Sequence, residues 1–161
     1  EIMLTCTYVH DVKQGPYKEY YTDGTLYEEG DYENNEKVGV WTTYHPNGEV
    51  YLQGRYQDRK FEGEWKAFHP NGTLKQIGTY RNGLAQGPWQ FFYENGNLRR
   101  EGSYRDDHAE GLWKQYREDG SLEIEAEYEA GKLQGEKRLF DAAGQLLRTE
   151  YYQAGEKREG E

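Results

Sequence analysis

Two copies of the tetrapeptide His-Pro-Asn-Gly, at 45–48 and 69–72, contain two of the four histidines of this chain. Neutral imidazole is the commonest metal ligand among protein side chains, so a histidine pair could hold an ion. His45 and His69 lie 24 residues apart. If 24 residues form two adjacent strands, the two imidazoles stand about 10 Å apart, which is too far to ligate one ion. The sequence therefore predicts that these histidines are structural, and it predicts no metal site.

The other residues with catalytic potential form no recognisable arrangement. Cys6 is the only cysteine, which excludes an internal disulfide, and the sequence places no base beside it. The 30 acidic residues are densest at 28–29, 106–107 and 125–129, and we interpret these patches as solvated edges and turns. The sequence contains neither a calcium-binding loop motif nor a glycine-rich phosphate loop. We expect neither catalysis nor a bound cofactor.

Composition favours a folded chain with an aromatic core. Only 34% of the 161 residues are hydrophobic, 31% are charged and the mean hydropathy is -1.21, which are values typical of disorder. However, 16% of the residues are aromatic and 20 are glycines at regular spacing. The net charge of -10 opposes binding to nucleic acid or to an anionic membrane, and it favours a basic partner. No apolar run approaches the roughly 20 residues of a membrane span.

A repeat of 24 residues organises the sequence. Its first position is a glycine, and six copies begin at Gly15, Gly39, Gly63, Gly87, Gly111 and Gly135. Position 10 is always Gly, position 18 is always Tyr, and position 16 is small in five copies, as it is at Cys6. Position 7 holds His45 and His69 but also Tyr, Arg or Asp, which indicates a tolerant position beside a turn. We predict one repeat domain over 1–161, with a half repeat at 1–14 and full repeats at 15–38, 39–62, 63–86, 87–110, 111–134 and 135–158, the last as a cap.

Each repeat is predicted to be a β-hairpin. Asn-Gly or Asp-Gly at positions 9–10 indicates a two-residue type I′ turn, and a second, weaker turn signal lies at positions 20–21. A two-residue loop would pair position 7 with 12, 3 with 16, and 1 with 18. The Trp at position 3 and the Tyr at position 18 would then each face a glycine, which leaves room for an aromatic ring across the neighbouring strand.

Strand alternation divides the repeat into two faces. Positions 1, 3, 5, 7, 12, 14, 16 and 18 form a packed face, and position 6 is an aromatic row on the polar face, unless a bulge between positions 3 and 6 brings both rows together. We predict an all-β fold: one elongated, twisted antiparallel meander of about 13 strands, without helices. The predicted core is Trp41, Trp65, Trp89 and Trp113, with Tyr32, Tyr56, Tyr80, Tyr104 and Tyr128. The predicted partner-binding row is Tyr20, Tyr44, Phe68, Phe92 and Tyr116.

The pattern that runs from Gly87-Pro88-Trp89 to Tyr104 resembles MORN repeats, and most of all the bacterial MORN-variant repeats described as antitoxin-like. The resemblance extends from Ile2 to Tyr152. It implies an open antiparallel sheet that binds proteins, without catalysis or a cofactor. The last repeat departs from the pattern at Lys137, Ala143 and Glu150, which is typical of a terminal cap.

The resemblance also implies an antitoxin-like or immunity protein whose partner is a basic toxin or effector. Two alternatives remain open: an exported structural or surface scaffold, and a carbohydrate-binding protein that stacks sugars on its aromatic rows. We expect no nucleic-acid partner and no membrane partner. The compartment would be the bacterial cytoplasm or, if a leader peptide has been removed, the periplasm or cell surface.

Overall fold

A computed structural model describes residues 3–158, so that the first two residues of the predicted half repeat, including Ile2, lie outside the described residues. Two compact units divide between Gly83 and Leu84. The first unit contains β1 (Leu4–Val9), β2 (Val12–Tyr20), β3 (Leu26–Glu33), β4 (Glu36–Tyr44), β5 (Val50–Gln57), β6 (Lys60–Phe68) and β7 (Leu74–Arg81). The second contains β8 (Leu84–Phe92), β9 (Leu98–Arg105), β10 (His108–Tyr116), β11 (Leu122–Glu129), β12 (Lys132–Phe140), β13 (Leu146–Gln153) and β14 (Glu156–Arg158).

Within each unit every strand pairs antiparallel with its neighbours in the sequence. The predicted fold class, an all-β antiparallel meander of hairpins, is confirmed. Residues 3–158 contain 14 strands and no helix, one strand more than the predicted count because a short last strand follows the final turn.

The predicted register is correct in the body of each hairpin and wrong near its loop. Gly39 pairs with Tyr56 and Trp41 with Gly54, so that position 1 faces 18 and position 3 faces 16. Tyr44, at position 6, pairs with Val50, at position 12, after a register shift. The cause is a loop of five residues, at positions 7–11, where a two-residue loop was predicted. Position 7 therefore lies outside the strands and on neither face.

The prediction of a type I′ turn at Asn47-Gly48 is wrong. The Gly48 N–H donates to the His45 carbonyl at 2.9 Å, and among the residues of this turn only Gly48 has a positive φ, of 87°. This combination is a type I turn followed by a left-handed glycine, one of the standard longer hairpin loops. Asn47 is favoured because its Oδ1 accepts the Glu49 N–H at 3.1 Å, which supports the turn from the side chain.

The type I′ turns occur instead at positions 20–21, where the sequence signal is weaker. Asn34 and Asn35 have φ values of 51° and 67°, and Asp58 and Arg59 have 50° and 65°. Two consecutive residues with positive φ define this turn type, whose twist matches that of the flanking strands. The β-hairpin geometry of the second turn therefore overrides the side-chain preference of residues such as Arg59.

The tryptophans lie on glycines, as the pairing of large with small residues predicts, but on glycines of the preceding repeat. The Trp41 ring covers Gly30, where an added Cβ would stand less than 3.0 Å from the ring. The Trp41 Nε1–H donates to the Asp31 carbonyl at 3.2 Å. The glycine at position 1 does not make room for a ring, as was predicted, because a Cβ on Gly39 would meet nothing within 4 Å. The φ of Gly39 is 67°, which favours glycine. Gly39 is needed for its backbone conformation at the irregularity between β3 and β4.

The two faces of the hairpins are distinct. The tryptophan face, which we define as positions 3, 14, 16, 18 and 23, carries Trp41 with Tyr32 and Lys37 against its ring. The ring face, which we define as positions 2, 4, 6 and 15, carries Tyr44, whose hydroxyl donates to Glu29. The register shift follows position 5, and position 6 stays opposite the tryptophans. An irregularity thus falls between positions 3 and 6, as considered, but it leaves Tyr44 on the face of Glu29, and the two aromatic rows stay apart.

Candidate functional site

The tryptophan row forms the interior of the hairpins. Trp41 and Trp113 are 2% exposed, and Trp65 and Trp89 are 4% exposed. The position-18 tyrosines are half-buried beside them, at Tyr32, Tyr56, Tyr80, Tyr104 and Tyr128. Their rings meet the tryptophans edge to face, as for Tyr104 and Trp113, whose centroids are 4.9 Å apart. Such pairs add to the stability gained from burial, and they leave little tryptophan surface for a partner.

The position-6 row lies on the ring face and is half-buried throughout, at Tyr20, Tyr44, Phe68, Phe92 and Tyr116. Two of its hydroxyl groups donate to carboxylates of the preceding repeat. The Tyr44 hydroxyl lies 2.6 Å from Glu29, and the Tyr116 hydroxyl lies 2.9 Å from Glu101. Lys18 also approaches Glu29, at 3.1 Å. Tyr44 and Tyr116 are therefore held in place by carboxylates on the same face.

These contacts set the protonation states on the ring face. Burial, and then the hydrogen bond to Glu29, raise the pKa of Tyr44 to about 12. Burial and the hydrogen bond to Glu101 raise the pKa of Tyr116 to about 12 in the same way. The hydrogen bond from Tyr44, and then that from Lys18, lower the pKa of Glu29. At neutral pH the ring face therefore presents Tyr44 and Tyr116 as neutral phenols and Glu29 as an ionised carboxylate.

Two exposed aliphatic residues at position 2 lie on the same face as the position-6 rings, and they were not predicted from the sequence. Val40 is 58% exposed and Leu112 is 48% exposed. Each lies four residues before a position-6 tyrosine on the same strand, so that residue and ring share a face. Strand alternation from position 6 would have identified them. Val40 in the first unit and Leu112 in the second each add an exposed apolar side chain to the ring face, whereas position 2 is a proline or a glutamate in the other repeats.

The position-7 side chains connect successive repeats. The interpretation of position 7 as merely tolerant of different residues was therefore incomplete. The His45 Nε2 lies 3.0 Å from the Phe68 carbonyl, which can only accept a hydrogen bond, so that Nε2–H is the donor. Tyr21 donates to the Tyr44 carbonyl at 2.8 Å and Tyr93 to the Tyr116 carbonyl at 2.8 Å. Arg117 donates to the Phe140 carbonyl at 2.5 Å. In each of these contacts the acceptor is the position-6 carbonyl of the next repeat.

The other sequence candidates occupy structural places. His10 lies in a turn with a φ of 49°, and the His108 Nδ1 lies 2.7 Å from the Asp106 carbonyl. Cys6, which is half-buried, pairs with Tyr17 across β1 and β2. Over the described range 3–158, no group of three or more His, Cys, Asp or Glu side chains is placed to hold a metal ion.

The acidic patches are more strongly paired than expected. Glu28 accepts from Lys37 at 2.6 Å, and Glu125 lies within 3.5 Å of Lys114 and 3.7 Å of Arg138. These ion pairs link adjacent strands, and several are partly withdrawn from solvent, whereas we expected solvated edges. Their arrangement stabilises the sheet surface modestly, since such pairs each contribute about 0–1 kcal/mol.

Comparison with known proteins identifies the repeat. Residues 13–34, 37–58, 61–82, 85–106 and 109–130 each match the profile of the MORN repeat variant. Each matched segment begins two residues after one type I′ turn, ends on the first residue of the next and contains one hairpin. The degenerate sixth repeat is outside the matched segments. No curated protein is significantly similar in sequence. Nowhere in residues 3–158 is there a helix long and apolar enough to cross a membrane. Because the five matches cover about two thirds of the sequence, the chain belongs to the MORN repeat variant family, a family of non-catalytic repeats that interact with proteins or membranes.

Proposed function

We propose that this chain is a non-enzymatic module that binds a partner protein across its ring face. One contrast supports this proposal more than any other. The tryptophans on one face are closed off by their neighbours, whereas the ring face carries half-buried aromatic rings on the same strand face as exposed Val40 and Leu112. An apolar surface left open between charged side chains is typical of a site for protein interaction.

The position-6 rings are the proposed anchors. Tyr20, Tyr44 and Phe68 are in the first unit, and Phe92 and Tyr116 are in the second. The hydrogen bonds to Glu29 and Glu101 fix the orientation of two of these rings before a partner arrives. A ring that is already ordered loses little side-chain entropy on binding, which favours tight contact. Aromatic anchors of this kind commonly dominate the binding energy of an interface.

The proposed partner is a basic toxin or secreted effector, which would make this chain an antitoxin-like or immunity protein. The net charge of -10 supports a partner of opposite sign, because complementary charge accelerates association. The same charge argues against nucleic acid and against an anionic membrane surface. Salt dependence follows from this proposal: the association rate should fall as ionic strength rises.

Affinity capture from lysate of the native host tests the proposal. We expect wild-type protein to capture a specific basic protein and the Tyr44→Ala/Phe68→Ala variant to lose it by at least about tenfold. The matched control is Tyr8→Ala, because Tyr8 is a 53% exposed tyrosine at position 18 and therefore lies on the tryptophan face. Circular dichroism and urea unfolding should show that all three proteins are folded.

Two results would contradict the proposal. Capture that is equal for wild type and the ring-face double variant would remove the position-6 row from the interface. Retardation of the wild-type protein on polysaccharide gels, lost in the same double variant, would assign the rings to sugar stacking instead.

A further inference from the structure

The second unit contains a cavity where the repeat pattern changes. In three places the position-3 tryptophan lies directly on the position-16 glycine of the preceding repeat: Trp41 on Gly30, Trp65 on Gly54, and Trp113 on Gly102. Between the fifth and sixth repeats, Ala126 stands in place of the glycine and Lys137 in place of the tryptophan. A cavity of about 190 Å³ opens there, and we call it the Trp113 pocket. Its lining includes Arg100, Trp113, Ile124, Ala126, Tyr128 and Lys137.

The two substitutions belong together. A tryptophan seated as in the other repeats leaves no room for a Cβ beneath it, since the added atom would lie less than 3.0 Å from the ring. Ala126 has that Cβ and is 4% exposed, at the base of the pocket. Lys137 is half-buried and lines the pocket at the position where the other repeats carry an indole. The pocket therefore lies where a position-3 tryptophan stands in the four preceding repeats that carry one.

The chemistry of the lining is unusual for so acidic a chain. The Arg100 guanidinium carbon lies 4.2 Å from the centroid of Trp113, and the Arg100 side chain is half-buried. Within the described part of the chain neither Arg100 nor Lys137 forms an ion pair. Glu150 faces Lys137 in the strand register, but its carboxylate is engaged by other donors. These are Lys157 at 2.9 Å, Arg148 at 3.2 Å and Tyr152 at 3.1 Å. Two cations without counter-ions thus line the same cavity as Trp113 and Tyr128.

We propose that the Trp113 pocket binds an aromatic side chain of a partner protein, and that a carboxylate of the same partner lies next to this ring. This inference rests on the proposed function in one respect only, namely that the partner is a protein. The cavity is larger than the roughly 150 Å³ that holds a benzene and smaller than the roughly 300 Å³ at which sites for whole small molecules begin. Its size therefore suits one ring. The ring replaces the missing indole, and the carboxylate accepts from the Arg100 and Lys137 donors.

The pocket is a contact separate from the ring face. It lies on the tryptophan face, and its charge is opposite to that of the chain as a whole. The pocket therefore favours an acidic segment of the partner that contains an aromatic residue, whereas the ring face favours a basic surface of the partner. Both can belong to one partner, because an overall basic protein can carry a local acidic segment.

A small probe tests the pocket directly. Indole-3-acetate is titrated into the isotopically labelled full chain, and amide chemical shifts are followed by NMR. We expect saturable shifts confined to the residues that line the pocket, with indole-3-acetamide at least about tenfold weaker because it lacks the charge. Arg100→Gln and Lys137→Gln should each weaken the probe severalfold. Lys75→Gln, at an exposed lysine in the first unit, is the matched control and should not.

Filling the cavity gives the sharpest outcome. The variant Ala126→Gly/Lys137→Trp restores the pair found in the other repeats, and we expect it to fold and to bind no probe. Equal binding of acid and amide, or binding that persists in the filled variant, would overturn the proposal. The Tyr44→Ala/Phe68→Ala variant should bind the probe as wild type does. Loss of partner capture in that variant together with no probe binding by wild type would refute the pocket and leave the proposed function standing.

Discussion

The indole of Trp65 lies on the backbone of Gly54, and its Nε1–H donates to the carbonyl of Arg55 at 3.2 Å. Gly54 belongs to the preceding repeat, so each such tryptophan fastens its own hairpin to the one before it. Stability in repeat proteins comes largely from contacts between neighbouring repeats. The tryptophan–glycine contact is one of these contacts, and it depends on the absence of a Cβ.

Replacing Gly54 by alanine should destabilise the chain by roughly 1–3 kcal/mol, the usual effect of overpacking a filled site. The free energy of urea unfolding measures this change. The same substitution in a Trp65→Lys background should cost much less, because that pair reproduces Ala126 with Lys137. Additive effects of the two substitutions would show that the Trp65 ring does not press on Gly54.

The hydroxyl of Tyr21 donates to the carbonyl of Tyr44 at 2.8 Å, which joins the loop of one repeat to the strand of the next. Tyr21→Phe removes this donor and keeps the ring. We expect a loss of about 0.5–1.5 kcal/mol in the free energy of unfolding, the net contribution of one hydrogen bond. Tyr51→Phe is the control, since Tyr51 is 41% exposed and its hydroxyl forms no hydrogen bond within residues 3–158. Equal effects of the two substitutions would argue against a structural role for position 7.

The shared role of position 7 shows where sequence reasoning fails. The acceptor is a backbone carbonyl, which any side chain with a suitably placed donor can reach. Tyr21, His45 and Arg117 therefore perform one task with three different chemistries. When the repeats are compared by residue type, position 7 shows only variation. The common property is the geometry of the next strand, which the local sequence does not contain.

Other features follow directly from the repeat. The period, the pairing of Trp41 with Gly54 and the opposite placement of Tyr44 all result from strand alternation once the hairpin is recognised. The loop at Asn47-Gly48 was predicted wrongly because Asn-Gly suits two turn types. Glycine supplies a positive φ in both, and only the backbone shows that Asn47 does not share it. The Trp113 pocket needed coordinates, since the sequence showed the loss of a tryptophan but not the cations that surround the space.

The Tyr44–Glu29 contact should make stability depend on pH at both extremes. The folded pKa of Tyr44 is raised from 10.0 to about 12, so its contribution is complete below pH 10 and is lost as the pH rises from 10 to 12. The folded pKa of Glu29 is lowered from 4.5, so its contribution is complete above that pH and is lost as the pH falls further. Urea midpoints for wild type and Tyr44→Phe measure both limbs. The variant should lose less stability on each limb, and identical pH profiles would refute the coupling.

The type I′ turn at Ala130-Gly131 offers a stabilising substitution. Ala130 has a φ of 48°, which is costly for alanine because its Cβ approaches the following carbonyl. The equivalent residue Asn82 has a φ of 52°, and asparagine tolerates this conformation better. Ala130→Asn should therefore raise the free energy of unfolding by up to about 1 kcal/mol, since the left-handed conformation costs alanine about 1–2 kcal/mol. The Ala130 N–H donates to Glu110 at 3.1 Å, and the substitution leaves this backbone contact intact. The reciprocal change Asn82→Ala should cost a similar amount, and effects of the same sign in the two variants would show that φ is not the cause.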